Sequence, residues 1–167
     1  MNLTICEADF ADPIHRAAIV DVLDSYASDP VGGGEPLTGE ARANLAQMLR
    51  DHPTALVLLA FSEARAVGIA VCFFGLSTFQ ARPLLNVHDL AVIPEFRGNG
   101  VGRALLSAVE EHARRHGSCK LTLEVQDDNR RARALYESFG FTDFVVGNSA
   151  PTRFLTKPLR LLDERDA

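Results

Sequence analysis

The sequence predicts an α/β chain of the mixed (α+β) kind, a central mixed β-sheet flanked by about four helices, and three observations carry that expectation. Apolar runs of strand length alternate with stretches of helical periodicity in the order β-α-α-β-β-β-α-β-α-β-β. The strand-helix-strand unit from Leu85 to Val125 has the build of a parallel pair joined by a right-handed crossover. The 167 residues, 47% hydrophobic and 23% charged, suffice for one core without a disulfide or structural metal. A single domain over residues 1–160 is expected, followed by a short polar tail at 161–167.

Taken in order, Leu3 to Cys6 reads as a first strand. Asp12-Pro13 supplies an N-cap and a proline at the first helical position, and Ile14, Ala17, Ala18, Val22 and Tyr26 form an apolar stripe to about Ser28. The glycines and prolines from Pro30 to Pro36 end that helix. A second helix is expected from Thr38 to Asp51, with Ala41, Leu45, Met48 and Leu49 inward. Ala55 to Phe61 and Val67 to Leu76, around a polar turn, read as an antiparallel hairpin, and Leu85 to Ile93 as a third long strand. Val101, Leu105, Leu106, Val109 and Ala113 repeat at helical spacing up to a stop at Gly117. Cys119 to Val125 is strand-like and Arg130 to Phe139 helical, and Phe141 to Val146 and Arg153 to Leu159 complete the sheet as short strands.

Charge and cysteine content exclude several function classes. A net charge of -5 opposes a nucleic-acid binder with a broad basic surface, but not a local site for a small anion. Three scattered cysteines without CxxC spacing fit a reducing compartment. The N-terminus lacks a basic stretch followed by an apolar run, and the apolar stretch from Val67 to Leu76 is about half of what a membrane helix needs, so a cytoplasmic protein without membrane contact is expected.

The most informative segment lies where a strand gives way to a helix: Arg97-Gly98-Asn99-Gly100-Val101-Gly102-Arg103. Alternate glycines let backbone approach a ligand, and the first helical turn offers unpaired N–H groups at the positive end of its dipole, so a phosphate fits there. Arg97 and Arg103 add charge that reaches the same anion. A P-loop is excluded because no lysine follows Gly102. A dinucleotide fingerprint is opposed by the GxGxG spacing and by a strand that is not the first of a βαβ unit.

Leu90-Ala91-Val92-Ile93-Pro94 followed by this turn resembles the R/QxxGxG/A motif of the GNAT N-acetyltransferase superfamily. A later block, Asn129, Ala132, Ala134, Leu135, Tyr136, Phe139, Gly140 and Phe141, is similar to that family's N-x-x-A-x-x-L-Y-x-x-x-G-F, and the element order fits its acyl-CoA N-acyltransferase fold. The resemblance covers Leu3 to Leu159 and is strongest from Asp89 to Phe141. It implies acetyl-CoA as cosubstrate and coenzyme A as product. The backbone of Leu90, Ala91 and Val92 would lie beside the pantetheine arm and polarise the thioester carbonyl. The amides of Arg97, Gly98, Asn99, Gly100, Val101 and Gly102, with Arg103, would hold the pyrophosphate, and Asn129 would bond the pantetheine or diphosphate. The implied reaction is direct attack of a bound amine, with no acyl-enzyme.

Tyr136 occupies the position resembling the family's general acid, and a phenol is protonated at neutral pH. For the base, the histone-modifying branch has a glutamate where Asn86 stands, and an amide cannot serve. His88, expected by strand alternation on one face with Asn86 and Leu90 and opposite Asp89, is the first candidate, and Glu124 is the reserve. A structural histidine and a core tyrosine are the bland alternatives. His112 and His116 lack the HExxH pattern, so no metal is expected. Arg130, Arg131 and Arg133 make a basic patch near the cofactor end. The Pro30 to Pro36 loop, with Gly33, Gly34 and Glu35, is expected to wall the acceptor side, and Ser77 to Leu84 to face it.

The expected activity is acetyl transfer to the primary amine of a small or amino-acid-like molecule. A protein or peptide acetyltransferase and a non-catalytic acyl-CoA-binding module are the alternatives. A homodimer is expected by analogy with relatives that pair through late strands.

Overall fold

The computed structural model describes residues 2–145, 147–148 and 150–157. Five strands form one sheet in the order β1-β2-β3-β4-β5: β1 Leu3–Glu7, β2 Ala55–Ser62, β3 Arg65–Ser77, β4 Arg82–Val92 and β5 Leu121–Leu123. The first four are mutually antiparallel and β5 joins β4 in parallel, so the sheet is mixed as expected. The helices are α1 Pro13–Ala27, α2 Gly39–Asp51, α3 Val101–Arg115 and α4 Arg130–Ser138, and a 3-10 turn over Pro94–Phe96 leads from β4 toward α3.

Local signals set the helix ends. Asp12 caps α1 by accepting from the Ile14 N–H at 2.7 Å, and Thr38 caps α2 through the Ala41 N–H at 3.2 Å. Gly117, at φ 68°, closes α3 where the sequence placed its stop. α3 buries Val101, Leu105, Leu106, Val109 and Ala113, the stripe read from its periodicity. α1 buries Ala18, Ile19, Val22 and Leu23 while Ile14 is exposed, and α2 buries Leu49 while Met48 is exposed. The expected faces hold through Ala18, Val22 and Tyr26 on α1 and Ala41, Leu45 and Leu49 on α2, while Ile14, Ala17 and Met48 turn outward and Ile19 and Leu23 turn in, because the stripes were drawn without knowing which flank meets the sheet.

The two sides of the sheet can be read on β3. A Cβ on Gly68 would meet the side chains of Val101 and Leu105, and Phe74 stacks on His116 at 4.7 Å, so these positions face α3. Phe73 points the other way, to His52 at the end of α2 at 4.7 Å. The core lies between, with Leu58, Leu59, Ile69, Leu85 and Leu105 at or near zero exposure.

The late strands expected at Phe141 to Val146 and Arg153 to Leu159 are not formed by residues 141–145 or 153–157, and Val146, Pro158 and Leu159 lie outside the described residues. Thr152, just before the second segment, donates its N–H to the Phe144 carbonyl at 2.9 Å. Phe144, Phe154 and Leu155 are exposed. β5 is also shorter than the Cys119 to Val125 run that predicted it.

Candidate functional site

The site is organised by a fault in β4. The Leu85 N–H donates to the Lys120 carbonyl, on the β5 side, at 3.1 Å, whereas the Ile93 N–H donates to Val67, on the β3 side, at 3.0 Å. In an unbroken strand, residues eight apart point to the same neighbour, so one residue has been inserted between them. The register locates it: Cys72 pairs with Val87 and Val71 with Asp89, leaving His88 as the extra residue of a β-bulge.

Two consequences follow. Below the bulge β4 is paired on both sides, Leu85 to Val87 with Leu121 to Leu123. Above it, β5 no longer follows, and the alternation that directs Ile93 toward β3 turns the N–H groups of Leu90 and Val92 to the open side. The bulge also resets the faces. Asn86 pairs with Phe73 and Asp89 with Val71, both on the α1/α2 side, whereas Val87 and Leu90 share the α3 side. The expectation that His88 shares a face with Asn86 and Leu90, with Asp89 opposite, is therefore corrected: Leu90 lies opposite Asn86, and Asp89 lies with it.

The open edge of β4 forms one wall of a cleft of about 390 Å³. Leu90 and Val92 line it from the strand, Gly98 to Arg103 (except Asn99) from the turn and α3, and Asn129, Arg131, Ala132, Leu135 and Tyr136 from α4. Tyr26, Asp29 and Val31 close the α1 side. Gly98 and Gly100 take φ of 83° and 84°, conformations that glycine permits, and Gly100 carries no side-chain cap, so the amides of Val101, Gly102 and Arg103 are left for a ligand. Gly102 lets α4 come close, because a Cβ there would sit 3.1 Å from Leu135.

The arginines are arranged differently from the sequence expectation. The Arg97 guanidinium donates from Nε to the Val92 carbonyl at 2.8 Å and pairs through Nη1 with Asp29 Oδ2 at 2.7 Å. It holds the α1–α2 connection against the mouth of the cleft and is not a free phosphate ligand. Arg103 donates to Ser138 Oγ at 2.5 Å and lies over the Phe139 ring. Arg131 forms no ion pair among the described residues, and its guanidinium lies 3.7 Å from where a Cβ on Gly98 would stand. Arg103, bonded only to a neutral hydroxyl, and Arg131 are both unpaired cations beside the glycine turn among the described residues. Arg133 is paired with Asp127 and Glu137, as befits a solvated helix face.

Asn129 caps α4, its Oδ1 accepting from the Ala132 N–H at 3.1 Å, which leaves its amide nitrogen for a ligand. Tyr136 is partly buried against Phe141, and burial, with Tyr26 nearby, pushes its phenol up to about 12. Asn86 donates to Thr122 Oγ1 at 3.1 Å and to Glu124 Oε1 at 3.4 Å, bringing two of the expected residues together on the side of the sheet away from α3. His88 is exposed, its ring edge-on to Phe73 at 5.5 Å. Gly33, Gly34 and Glu35 do not line the cleft; the loop reaches it through Asp29 and Val31 instead. A Cβ on Gly32 would strike the Tyr26 carbonyl, so the loop folds back on α1 and keeps its later residues outward. The Ser77 to Leu84 stretch is the β3–β4 hairpin tip with Phe79 exposed, and it does not line the cleft either.

Asp89 is the residue that strict alternation hid. Burial holds its carboxyl above the usual carboxylate range, His88 pulling weakly the other way. Tyr26 on α1 and Cys72 on β3 are raised chiefly by burial and further by the Asp89 charge, Cys72 lying on the opposite, α3 face. A signal was present in the sequence: Leu85 and Val87 are two apart, as are Leu90 and Val92, but three positions separate the pairs.

Comparison with known proteins supplies the context for this geometry. The acetyltransferase (GNAT) family profile matches residues 19–141. An uncharacterized N-acetyltransferase of Bacillus subtilis, YhfO, is 32% identical over 133 residues, 76% of this chain and 83% of the relative. The thialysine N-epsilon-acetyltransferase of Bos taurus is 38% identical over 77 residues, 46% of this chain and 45% of its own length. Among solved structures, an integron cassette protein from V. cholerae superposes with a TM-score of 0.74 at 20% identity, covering 93% of this chain and 94% of that one, a likeness of fold.

Proposed function

The chain belongs to the acetyltransferase (GNAT) family and is an N-acetyltransferase, and from that premise we propose that it transfers acetyl from acetyl-CoA to the primary amine of a small or amino-acid-like molecule. One observation carries the reading: the unpaired upper edge of β4 and the uncapped N-terminus of α3 open into the same cleft. The donor set fits the cosubstrate. Helix amides beside Arg131 suit a pyrophosphate, and strand N–H groups suit the amides of a pantetheine arm. When bound, acetyl-CoA supplies the activated acetyl thioester.

The chain's own residues do the rest. The Leu90 or Val92 N–H stabilises negative charge developing on the carbonyl oxygen, in a setting fixed before substrate arrives. Tyr136, held protonated by burial, donates a hydrogen bond to the departing sulfur. The amine enters from the α1/α2 side, where Asn86, His88 and Glu124 gather, and attacks directly. The thialysine-acetylating relative, whose acceptor is a small amino acid by its name, supports an acceptor of this size.

The test is coenzyme A release from acetyl-CoA against a panel of alkylamines, amino acids and peptides. Release with small amines and not with peptides is the expected result. Release with peptides alone would make it a protein acetyltransferase, and coenzyme binding without release on any acceptor would make it a binding module.

A further inference from the structure

We propose that Asp89 is the anchor for the acceptor amine and takes the proton that the ammonium must lose, so that this enzyme acts on cationic alkylamines. The inference rests on the transferase reading above and names the substrate class and base within it.

The geometry is the argument. The bulge at His88 brings Asp89 to the same face as Phe73 and Asn86, one position before the strand edge that lines the cleft. On that face it lies near Tyr26, which itself lines the cleft. Among the described residues, no side chain or N–H donates to the Asp89 carboxylate, and no cationic nitrogen approaches within ion-pair distance. The other carboxylates near the cleft are engaged: Asp29 by Arg97 and the Val31 N–H, Glu124 by Asn86. A half-buried carboxylate without a partner is costly unless a cation comes to it. An alkylammonium arriving from the α1/α2 side supplies that cation, while a neutral arylamine does not.

The proton account closes. The ammonium gives one proton to Asp89, the freed nitrogen forms the C–N bond to the acetyl carbon, and the C–S bond breaks. The second N–H proton, acidified by that bond, ends on sulfur through the Tyr136 hydroxyl, which gives one proton and regains another. Asp89 then releases its proton to water, so amine cation and thioester yield amide, thiol and one proton. On its own face Asp89 is met by Tyr26 from α1, with His88 beside it on the strand, while Cys72 of β3 lies on the opposite face. Tyr26 and Cys72, both raised by burial, remain neutral in the working range, and a His88→Gln variant separates the neighbouring imidazole from Asp89.

The experiment measures kcat/KM against pH for primary alkylamines, with aniline as the neutral comparison, in the wild type, Asp89→Asn, Asp89→Glu and His88→Gln. Coenzyme A affinity by calorimetry serves as the folding control. Asp89→Asn is expected to lower kcat/KM for alkylamines roughly 100-fold and to abolish its acid limb, with coenzyme A affinity within about twofold of wild type. His88→Gln keeps the limb, Asp89→Glu recovers part of the rate, and the preference for alkylamine over aniline collapses only in Asp89→Asn. Asp89→Asn within about threefold of wild type, or a limb lost in His88→Gln and kept in Asp89→Asn, overturns the proposal. If neither Asp89 variant binds coenzyme A, the wild type and His88→Gln decide: a shared acid limb with strong alkylamine preference supports it, and a flat profile or equal use of aniline overturns it. A wild type that releases no coenzyme A with any amine removes the transferase reading itself, a result distinct from the failure of Asp89 alone.

Discussion

The two halves of β4 have similar composition and opposite duties. From Leu85 to Val87 the strand is paired on both sides, with Leu85 and Val87 buried, and it serves the core. From Asp89 to Val92 one edge is open, and the same kind of backbone serves a cleft. The only thing between them is His88, one inserted residue. A binding edge can therefore be made without special residue types, by letting a parallel neighbour diverge where a bulge has changed the strand's phase.

Deleting His88 would remove that difference and is expected to have the largest effect. Regular alternation would then join Val87 to Asp89 with their faces unchanged, and without the bend β5 follows the upper half and covers its edge, so coenzyme A binding by calorimetry and acetyl transfer should both fall below detection. Retention of activity within tenfold of wild type would show that the bulge does not organise the site.

Truncations on either side of the bulge should then separate stability from activity. Leu85→Ala, in the fully buried half, should cost about 3 kcal/mol in denaturant unfolding while leaving the KM for acetyl-CoA unchanged. Tyr136→Phe, facing the open half, should lower kcat about 100-fold with KM within about twofold, read by steady-state thiol release. A change confined to KM would assign Tyr136 to binding instead.

Alkaline unfolding offers a comparison of the same two regions. Cys72 and Tyr136 both have folded pKa values raised to about 12, from 9.0 and 10.0. The folded state keeps these protons where the unfolded chain loses them, so their contribution is complete below pH 9 and is lost as pH rises toward 12. The urea midpoint should fall across that window, and Tyr136→Phe should flatten the part above pH 10. Asp29→Asn should have the smallest effect, roughly a threefold rise in the KM for acetyl-CoA as Arg97 loosens its hold on the α1–α2 connection. An unchanged KM would make that ion pair purely structural.

The glycine turn was legible because its function is local. Successive glycines at a helix start dictate free amides wherever the chain occurs, and the α3 stripe dictates its buried face. Arg97 was misread because an arginine beside a phosphate turn looks like a ligand until Asp29, 68 residues away, is found to hold it. Asp89 was misplaced because alternation was continued through a bulge, although the three-residue gap between Val87 and Leu90 marked it. The late segment from Phe141 was read as strand from its apolar content, which records a wish for burial and not a pairing partner.

The sequence by itself determined the mixed sheet, the helix caps, the phosphate-type turn and the family, because each depends on periodicity or on backbone chemistry within a few residues. Only the tertiary structure decided that Asp29 holds Arg97, which face Asp89 occupies, and that the α1–α2 loop meets the cleft through Asp29 and Val31. Those are properties of pairing between distant segments. Strand register and ion-pair choice depend on what lies across the gap, and no short stretch of sequence carries that.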